Sequence, residues 1–223
     1  MITPDEAREQ AVKRAQESVA GGEPMAWFEE LYNFANGDNS KIPWADGKPN
    51  PYLISWFKNT NAVGNGRSAV VVGCGLGEDA EELSGRGFKV TAFDLSPTAI
   101  EWCKKLYPES SVRYLAANLF DLPEELTKGF DFIYECYTIQ ALPRSMRNKT
   151  IEAIASLLNI GGEMLLIGRS WHGEREDEGP PWSLKEEELR HFQTLGLGEI
   201  TSEEFWDDTT GYDRVRKLYR REQ

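Results

Sequence analysis

The residues best placed to do chemistry are Gly73, Gly75 and Gly77, in Val70-Val71-Val72-Gly73-Cys74-Gly75-Leu76-Gly77, and Asp94, which ends the next apolar run. Glycines without a Cβ let backbone approach a ligand closely, and an acid one strand away can accept hydrogen bonds from ribose hydroxyls. An apolar strand, a glycine turn, a helix and a second strand closed by a carboxylate build a nucleotide-shaped crevice at the carboxyl ends of parallel strands. The spacing is G-x-G-x-G and position 78 is Glu, so the dinucleotide pattern G-x-G-x-x-G is not met and NAD is disfavoured. The plainer alternative is a tight βα turn, with Asp94 capping the helix that starts at Pro97, although Ser96 is the better cap.

The elements that must position these groups follow from the pattern around them. From Arg67 onward strands and helices alternate: strands fit Ser68–Val72, Lys89–Phe93, Val112–Leu115, Phe130–Glu135 and Glu163–Gly168. Helices fit Glu78–Ser84, Pro97–Leu106 and Ser145–Leu158, the last ended by Asn159-Ile160-Gly161-Gly162. Ser183–Leu195 reads as a further helix. Glu199–Trp206 and Tyr212–Arg220, joined by Asp207-Asp208-Thr209-Thr210-Gly211, read as an antiparallel hairpin on one sheet edge. The expected fold is therefore α/β: a Rossmann-like, doubly wound seven-stranded sheet, mostly parallel with a C-terminal antiparallel hairpin, and helices on both faces. Ahead of it, residues 1–60 read as an N-terminal helical extension, a cap over the active site, with residues 61–223 as the core. A modest helix runs to Val19, in the one stretch whose composition also suits disorder. A second helix follows Pro24, and an apolar helix lies around Tyr52–Phe57.

Composition narrows the partners. A chain of 223 residues with a formal net charge of −12 argues against nucleic acid or an anionic membrane as the main partner. Three cysteines without paired or metal-like spacing, and two histidines, point to a reduced cytoplasmic chain without a transition metal. The polar, acidic first residues are unlike a targeting peptide, and no apolar run approaches the ~18 residues of a membrane span.

At these residues a family resemblance enters. From Arg67 onward the chain resembles class I methyltransferases that use S-adenosylmethionine, and the glycine loop is similar to their first motif, which wraps the methionine portion of that cofactor. The resemblance implies that Asp94, with Leu95, holds the ribose, that Asn118 and Leu119 lie against adenine, and that the end of Phe130–Glu135 faces the methyl group. Leu157-Leu158-Asn159-Ile160-Gly161-Gly162 resembles the family's L-L-x-P-G-G turn. More narrowly, Pro43-Trp44-Ala45-Asp46-Gly47-Lys48-Pro49-Asn50-Pro51, Tyr137–Arg147 and Glu178-Gly179-Pro180-Pro181-Trp182-Ser183 resemble segments of thiopurine, thiol and halide methyltransferases. Three positions depart from the pattern: Val71 stands where an acid is common, Asn118 replaces an acid, and Ile160 replaces a proline.

Methyl transfer from a sulfonium is a direct displacement in which the protein supplies alignment and water exclusion rather than a covalent nucleophile. A thiol acceptor, with an unperturbed pKa of ~8.5, is already a few per cent thiolate at neutral pH; a hydroxyl or amine needs a general base. Candidate catalytic residues are Glu135, Tyr137 and His172. Glu135 also suits the cofactor amino group, or is a solvated strand-end acid; Tyr137 orients the acceptor, or is a core aromatic; His172 is a base, or a solvated loop histidine. Trp44, Gly73, Cys74, Gly75, Gly77, Asp94, Leu95, Asn118, Leu119 and Glu135 form the expected cofactor site, with Cys74 a small filler within it and Asn118 alternatively a plain turn former. Trp44, Tyr137 and Trp182 form the expected acceptor pocket, the tryptophans alternatively being surface packing.

The expectation is a cytoplasmic methyltransferase, a monomer or weak homodimer. It transfers the methyl group of S-adenosylmethionine to a small-molecule thiol or other soft nucleophile, leaving S-adenosylhomocysteine. Oxygen or nitrogen methylation of a small metabolite, and cofactor binding without catalysis, are the alternatives.

Overall fold

The computed structural model describes residues 2–127, 129–171, 173, 177, 179–208 and 210–222. Among these, seven strands form one sheet: β1 (Ser68–Val72), β2 (Lys89–Asp94), β3 (Arg113–Ala116), β4 (Phe130–Cys136), β5 (Leu158–Arg169), β6 (Leu197–Asp207) and β7 (Tyr212–Arg221). Their order is β3-β2-β1-β4-β5-β7-β6, parallel from β3 through β5 and antiparallel at the β5–β7 and β7–β6 contacts. Strand order reverses around β1, which lies between β2 and β4, so the ligand crevice opens at its carboxyl end. Val72 is in register with Phe93 on one side and Glu135 on the other. Gly73, Asp94 and Cys136 therefore lie side by side, one residue past that row.

The β1 run Ala69–Val72 is buried throughout, as a central strand covered on both faces requires. One face packs on α3 (Pro51–Thr60), α4 (Glu78–Gly85) and α5 (Pro97–Leu106), through Leu53, Phe57, Leu83 and Ile100. The other packs on α7 (Arg147–Ser156) and α8 (Glu186–Thr194), through Ile151, Ile154, Leu189 and Phe192. Ser96 caps α5 by accepting the Ala99 N–H, and Pro97 takes the first helical position.

The N-terminal part is two helices, α1 (Pro4–Ala20) and α2 (Ala26–Ala35). The first residues are helical rather than unstructured because Thr3 and Glu6 form a capping box and Ala7, Ala11 and Ala15 bury one stripe. A third apolar cluster joins Ala11, Ala15, Trp27, Leu31 and Tyr32 to Leu76 and Ala99, so this segment rests on the glycine loop and the start of α5.

Three boundaries differ from the sequence expectation. Asn159–Gly162 does not stop the chain before β5; the strand starts at Leu158 and absorbs both glycines at a register shift between Phe130 and Phe132. A Cβ on Gly162 would lie 2.9 Å from the Asn159 carbonyl and 3.1 Å from that of Phe130, so the bulge needs the bare backbone. The helix expected from Ser183 starts at Glu186 because Leu184 instead pairs with the chain beyond β5, its N–H donating to the Arg169 carbonyl at 2.8 Å. The helix expected from Ser145 is α7, which starts at Arg147 after a 3-10 turn, and a four-residue helix, α6 (Thr138–Ala141), follows β4 unannounced by periodicity. No helix among the described residues is long and apolar enough to cross a membrane.

Candidate active site

The glycine loop is built from three left-handed residues, with φ of 62° at Gly73, 56° at Gly75 and 90° at Gly77. They do different work. A Cβ would strike Thr138 Oγ1 at 2.4 Å from Gly73 and the Tyr114 hydroxyl at 2.5 Å from Gly77, so these two allow the loop to pack. At Gly75 a Cβ would only touch the Trp44 ring at 3.4 Å and the Tyr32 hydroxyl at 3.5 Å, so this glycine presents bare backbone to the aromatic cover.

Asp94 holds the loop from beside it. Its Oδ2 accepts the Gly75 N–H at 3.0 Å and its Oδ1 the Ser96 N–H at 2.9 Å. Each carboxylate oxygen has a second acceptor position, which suits a vicinal diol. Burial pushes the Asp94 carboxyl up to about 6, against the lowering effect of those two N–H groups. Leu95 beside it is half-buried. Asn118 follows β3, where the Ala117 N–H donates to the Asp94 carbonyl at 2.9 Å, so it stands next to Asp94. Its Oδ1 accepts the Phe120 N–H at 2.9 Å, which makes the turn-forming role real, and Leu119 packs against the core. The Cys103 thiol, and then burial, push the Cys74 thiol well above its ordinary value, which leaves it a filler.

The aromatic cover comes from α2 and the segment after it. Trp44 Nε1 donates to the Tyr32 hydroxyl at 2.8 Å, and the Trp44 ring lies edge-on to Trp27 at 6.0 Å between centroids. Glu29 anchors α2 to the core through the hydroxyls of Ser96 and Thr98 at the start of α5. Asn50 anchors the segment's other end, its N–H donating to Asp79 Oδ1 at 2.6 Å and its amide to Cys136 Sγ at 3.3 Å.

The end of β4 carries the remaining candidates. Glu135 is fully buried rather than solvated; its Oε1 accepts the Ile139 N–H at 2.9 Å, capping α6, and its Oε2 has no hydrogen-bond partner. Burial pushes its carboxyl up to about 7. Tyr137 adopts φ 64°, a left-handed conformation that is costly for a non-glycine residue and concentrates at functional sites. Its hydroxyl accepts a hydrogen bond from Arg214 Nη1 at 2.7 Å, and Arg214 in turn donates to Asp207 Oδ2 from Nε at 3.0 Å and Nη2 at 2.9 Å. Trp182 is pinned by its backbone: its N–H donates to the Gln140 carbonyl, and its own carbonyl accepts from Gln140 Nε2 and Arg147 Nη2. His172 lies outside the described residues.

The fold thus brings Gly75, Asp94, Asn118 and Trp44 to one half of the crevice and Tyr137 to the other. Sequence reasoning passed over Tyr32, Asp79, Arg169 and Arg214. The two arginines sit in runs that read as ordinary strand; their one signal is that charged residues at 214 and 216 alternate with the buried Val215. A cleft of about 440 Å³ between α7 and α8, lined by Arg144, Lys185 and His191, shares no residue with this site. S-adenosylmethionine, implied by the sequence resemblance, fits the residues present: Gly75 offers a surface without side chain and Asp94 keeps acceptor capacity beside it.

Comparison with known proteins gives one consistent result. The family model described as thiopurine S-methyltransferase (TPMT) matches residues 35–213. The thiopurine S-methyltransferase of Aliivibrio salmonicida (strain LFI1238) is 27% identical over 185 residues, which cover 75% of this chain and 83% of the relative. "Probable thiol methyltransferase 2" of Arabidopsis thaliana is 27% identical over 172 residues, covering 75% and 69%. In fold, the chain resembles 1,6-didemethyltoxoflavin-N1-methyltransferase of Burkholderia thailandensis, with a TM-score of 0.63 and 16% identity over 100% of this chain and 92% of that one. It also resembles the N-methyltransferase NodS of Bradyrhizobium japonicum WM9, with a TM-score of 0.65 and 14% identity over 87% and 98%.

Proposed function

The chain belongs to the thiopurine S-methyltransferase family and is a methyltransferase that uses S-adenosylmethionine; within that class, we propose that it methylates a small thiol in a pocket capped by residues 1–60. The observation that carries the choice of sulfur is the state of the acid at the end of β4. Glu135 is sealed from solvent and spends one oxygen on the Ile139 N–H, so it positions α6 and the Tyr137 turn and does not reach an acceptor. With no exposed base at the end of β4 among the described residues, the acceptor that suits is one already nucleophilic near neutral pH, such as a thiol.

When bound, S-adenosylmethionine supplies a methyl group on a positively charged sulfur. Asp94 holds the ribose through the acceptor positions that Gly75 and Ser96 leave free. Trp44 and Tyr32 cover the loop and exclude water, which strengthens alignment and protects the sulfonium. Tyr137, set by its left-handed backbone and by Arg214, would orient the acceptor sulfur toward the methyl group that the cofactor would supply. The acceptor thiol's proton leaves to water before attack, and one sulfur–carbon bond forms as another breaks. The net charge of −12 disfavours nucleic acid as the acceptor, and a monomer or weak homodimer inside the cytoplasm is the accompanying proposal.

Labelled S-adenosylmethionine offered with thiols, hydrosulfide and iodide on one side, and phenols, carboxylates and amines on the other, tests this reading. Turnover on the soft set is expected. Turnover confined to oxygen or nitrogen acceptors overturns the choice of sulfur, and cofactor binding with no turnover on either set points to a non-catalytic binder.

A further inference from the structure

Two buried arginines lie side by side at the acceptor end of the sheet, and they are unequally satisfied. Arg169 ends β5 and is in register with Arg214 of β7; they are 7% and 5% exposed. Arg214 is neutralised by Asp207 and also donates to Tyr137 and Thr210. Arg169 has no carboxylate within ion-pair distance among the described residues. Among the described residues its Nε has no hydrogen-bond partner, and its Nη1 donates to the Pro181 carbonyl at 3.5 Å. Its guanidinium lies 3.9 Å above the Tyr212 ring.

A charged group buried without a counter-ion is costly, and persists where a ligand completes it. Arg169 is also held rigidly. Its N–H donates to Gln140 Oε1 at 2.7 Å and its carbonyl accepts from Gln140 Nε2 at 3.0 Å, so the base of the side chain is clamped on both sides. Its place is the acceptor's: the Tyr137 N–H donates to the Ile167 carbonyl two residues before Arg169, and Tyr137 and Arg169 sense one another electrostatically. Among the described residues, Arg169, Arg214 and Asp207 carry one net positive charge, and Arg8 adds to the positive field at Arg169. That favours a monoanion, and the planar fork of a guanidinium matches a carboxylate in two parallel hydrogen bonds.

We propose that Arg169 sets acceptor specificity by gripping the carboxylate of a small anionic thiol through Nε and one Nη. This rests on the thiol reading above, and it narrows the acceptor from any small thiol to one bearing an acid.

Matched acceptors test it: 2-mercaptobenzoate against its methyl ester, and 3-mercaptopropionate against its methyl ester. A charge-assisted pair predicts that kcat/KM favours the acid over the ester by about ten- to a hundredfold. In Arg169→Gln that ratio falls towards one through the acid's KM; Arg169→Lys keeps the charge, loses the fork and lies between. The ratio is independent of how much of each variant folds. Binding of benzoate to the protein saturated with S-adenosylhomocysteine, followed by calorimetry, gives a second readout that Arg169→Gln abolishes. Thiol turnover with no acid preference overturns the proposal and leaves the thiol reading standing, as does an acid preference that survives Arg169→Gln. Benzoate binding that depends on Arg169, with no thiol methylated, keeps the carboxylate site and overturns the thiol reading. Neither benzoate binding nor thiol turnover overturns both.

Discussion

The Tyr137 hydroxyl accepts a 2.7 Å hydrogen bond from Arg214 Nη1, which ties the turn after β4 to the C-terminal hairpin. Two elements far apart in the chain thereby fix one side chain, the one proposed above to orient the acceptor. The bond has its own signature. Tyr137→Phe leaves the buried Arg214 nitrogen without that acceptor, at a stability cost of about 1 kcal/mol, or a fall in Tm of roughly 2–4 °C. An orienting role adds a fall in kcat/KM of about tenfold, well beyond the loss of folded protein. Calorimetry and steady-state kinetics on the same preparation separate the two; a lower Tm with unchanged kcat/KM makes Tyr137 purely structural.

Asp94 makes cofactor binding pH-dependent. Burial raises its carboxyl from 3.8 to about 6, so between those pH values the folded apoprotein holds a proton that the unfolded chain has already released. Ribose hydroxyls donate to the ionised form, so binding releases that proton. The dissociation constant for S-adenosylhomocysteine should be about tenfold weaker at pH 5 than at pH 7, with little change above. Asp94→Asn should weaken binding at pH 7 by about ten- to a hundredfold and flatten this dependence. A pH profile that survives in Asp94→Asn would assign the effect to another group.

Glu135 supplies a prediction of opposite sense. Its folded value of about 7 exceeds its ordinary 4.5, so its ionisation destabilises the folded state as pH rises between those values. Glu135→Gln keeps an oxygen for the Ile139 N–H and removes the buried charge. At pH 8 it should raise stability by about 1–3 kcal/mol and flatten the loss of stability above pH 5. Activity should persist, because Glu135 acts through α6; abolished turnover in a stable Glu135→Gln would restore it as a catalytic base.

The loop glycines should separate by role. Gly75→Ala costs about 1–2 kcal/mol for a left-handed alanine and should fold, yet lose affinity for S-adenosylhomocysteine, because its Cβ enters the surface offered to the ligand. Gly77→Ala drives a Cβ to 2.5 Å from the Tyr114 hydroxyl and should cost distinctly more in urea denaturation. Equal stability losses in the two variants would contradict this division.

Much of this arrangement was legible in the sequence because it rests on local chemistry. The Val70–Val72 run, the alternating glycines, Ser96-Pro97 and the acid at 94 each specify a piece of βα geometry within a few residues. The hairpin was readable for the same reason. What escaped was set by contacts between distant segments. Arg169 and Arg214 meet only when β5 and β7 pair, and no pattern within either strand marks one arginine as neutralised and the other as bare. Glu135 read equally as a functional acid facing the cofactor or as a strand-end acid open to water; only the turn into α6 shows that it is enclosed. The Gly161-Gly162 pair signals a helix stop by composition, yet the sheet took it up as a bulge.

The buried contact that α1 makes is composed of small groups, Ala7, Ala11 and Ala15 along its stripe and Val12 over the bare backbone of Gly179, with Arg14 laid over the exposed Phe34 ring at its edge. Methyl groups bury little area, so this seam separates at a fraction of the cost of parting the sheet. Gly21 and Gly22, the latter at φ 84°, stand where α1 would swing. One helix of this pair is thus held by alanine methyls and the other by the Trp27 ring, so amide exchange should open α1 before α2.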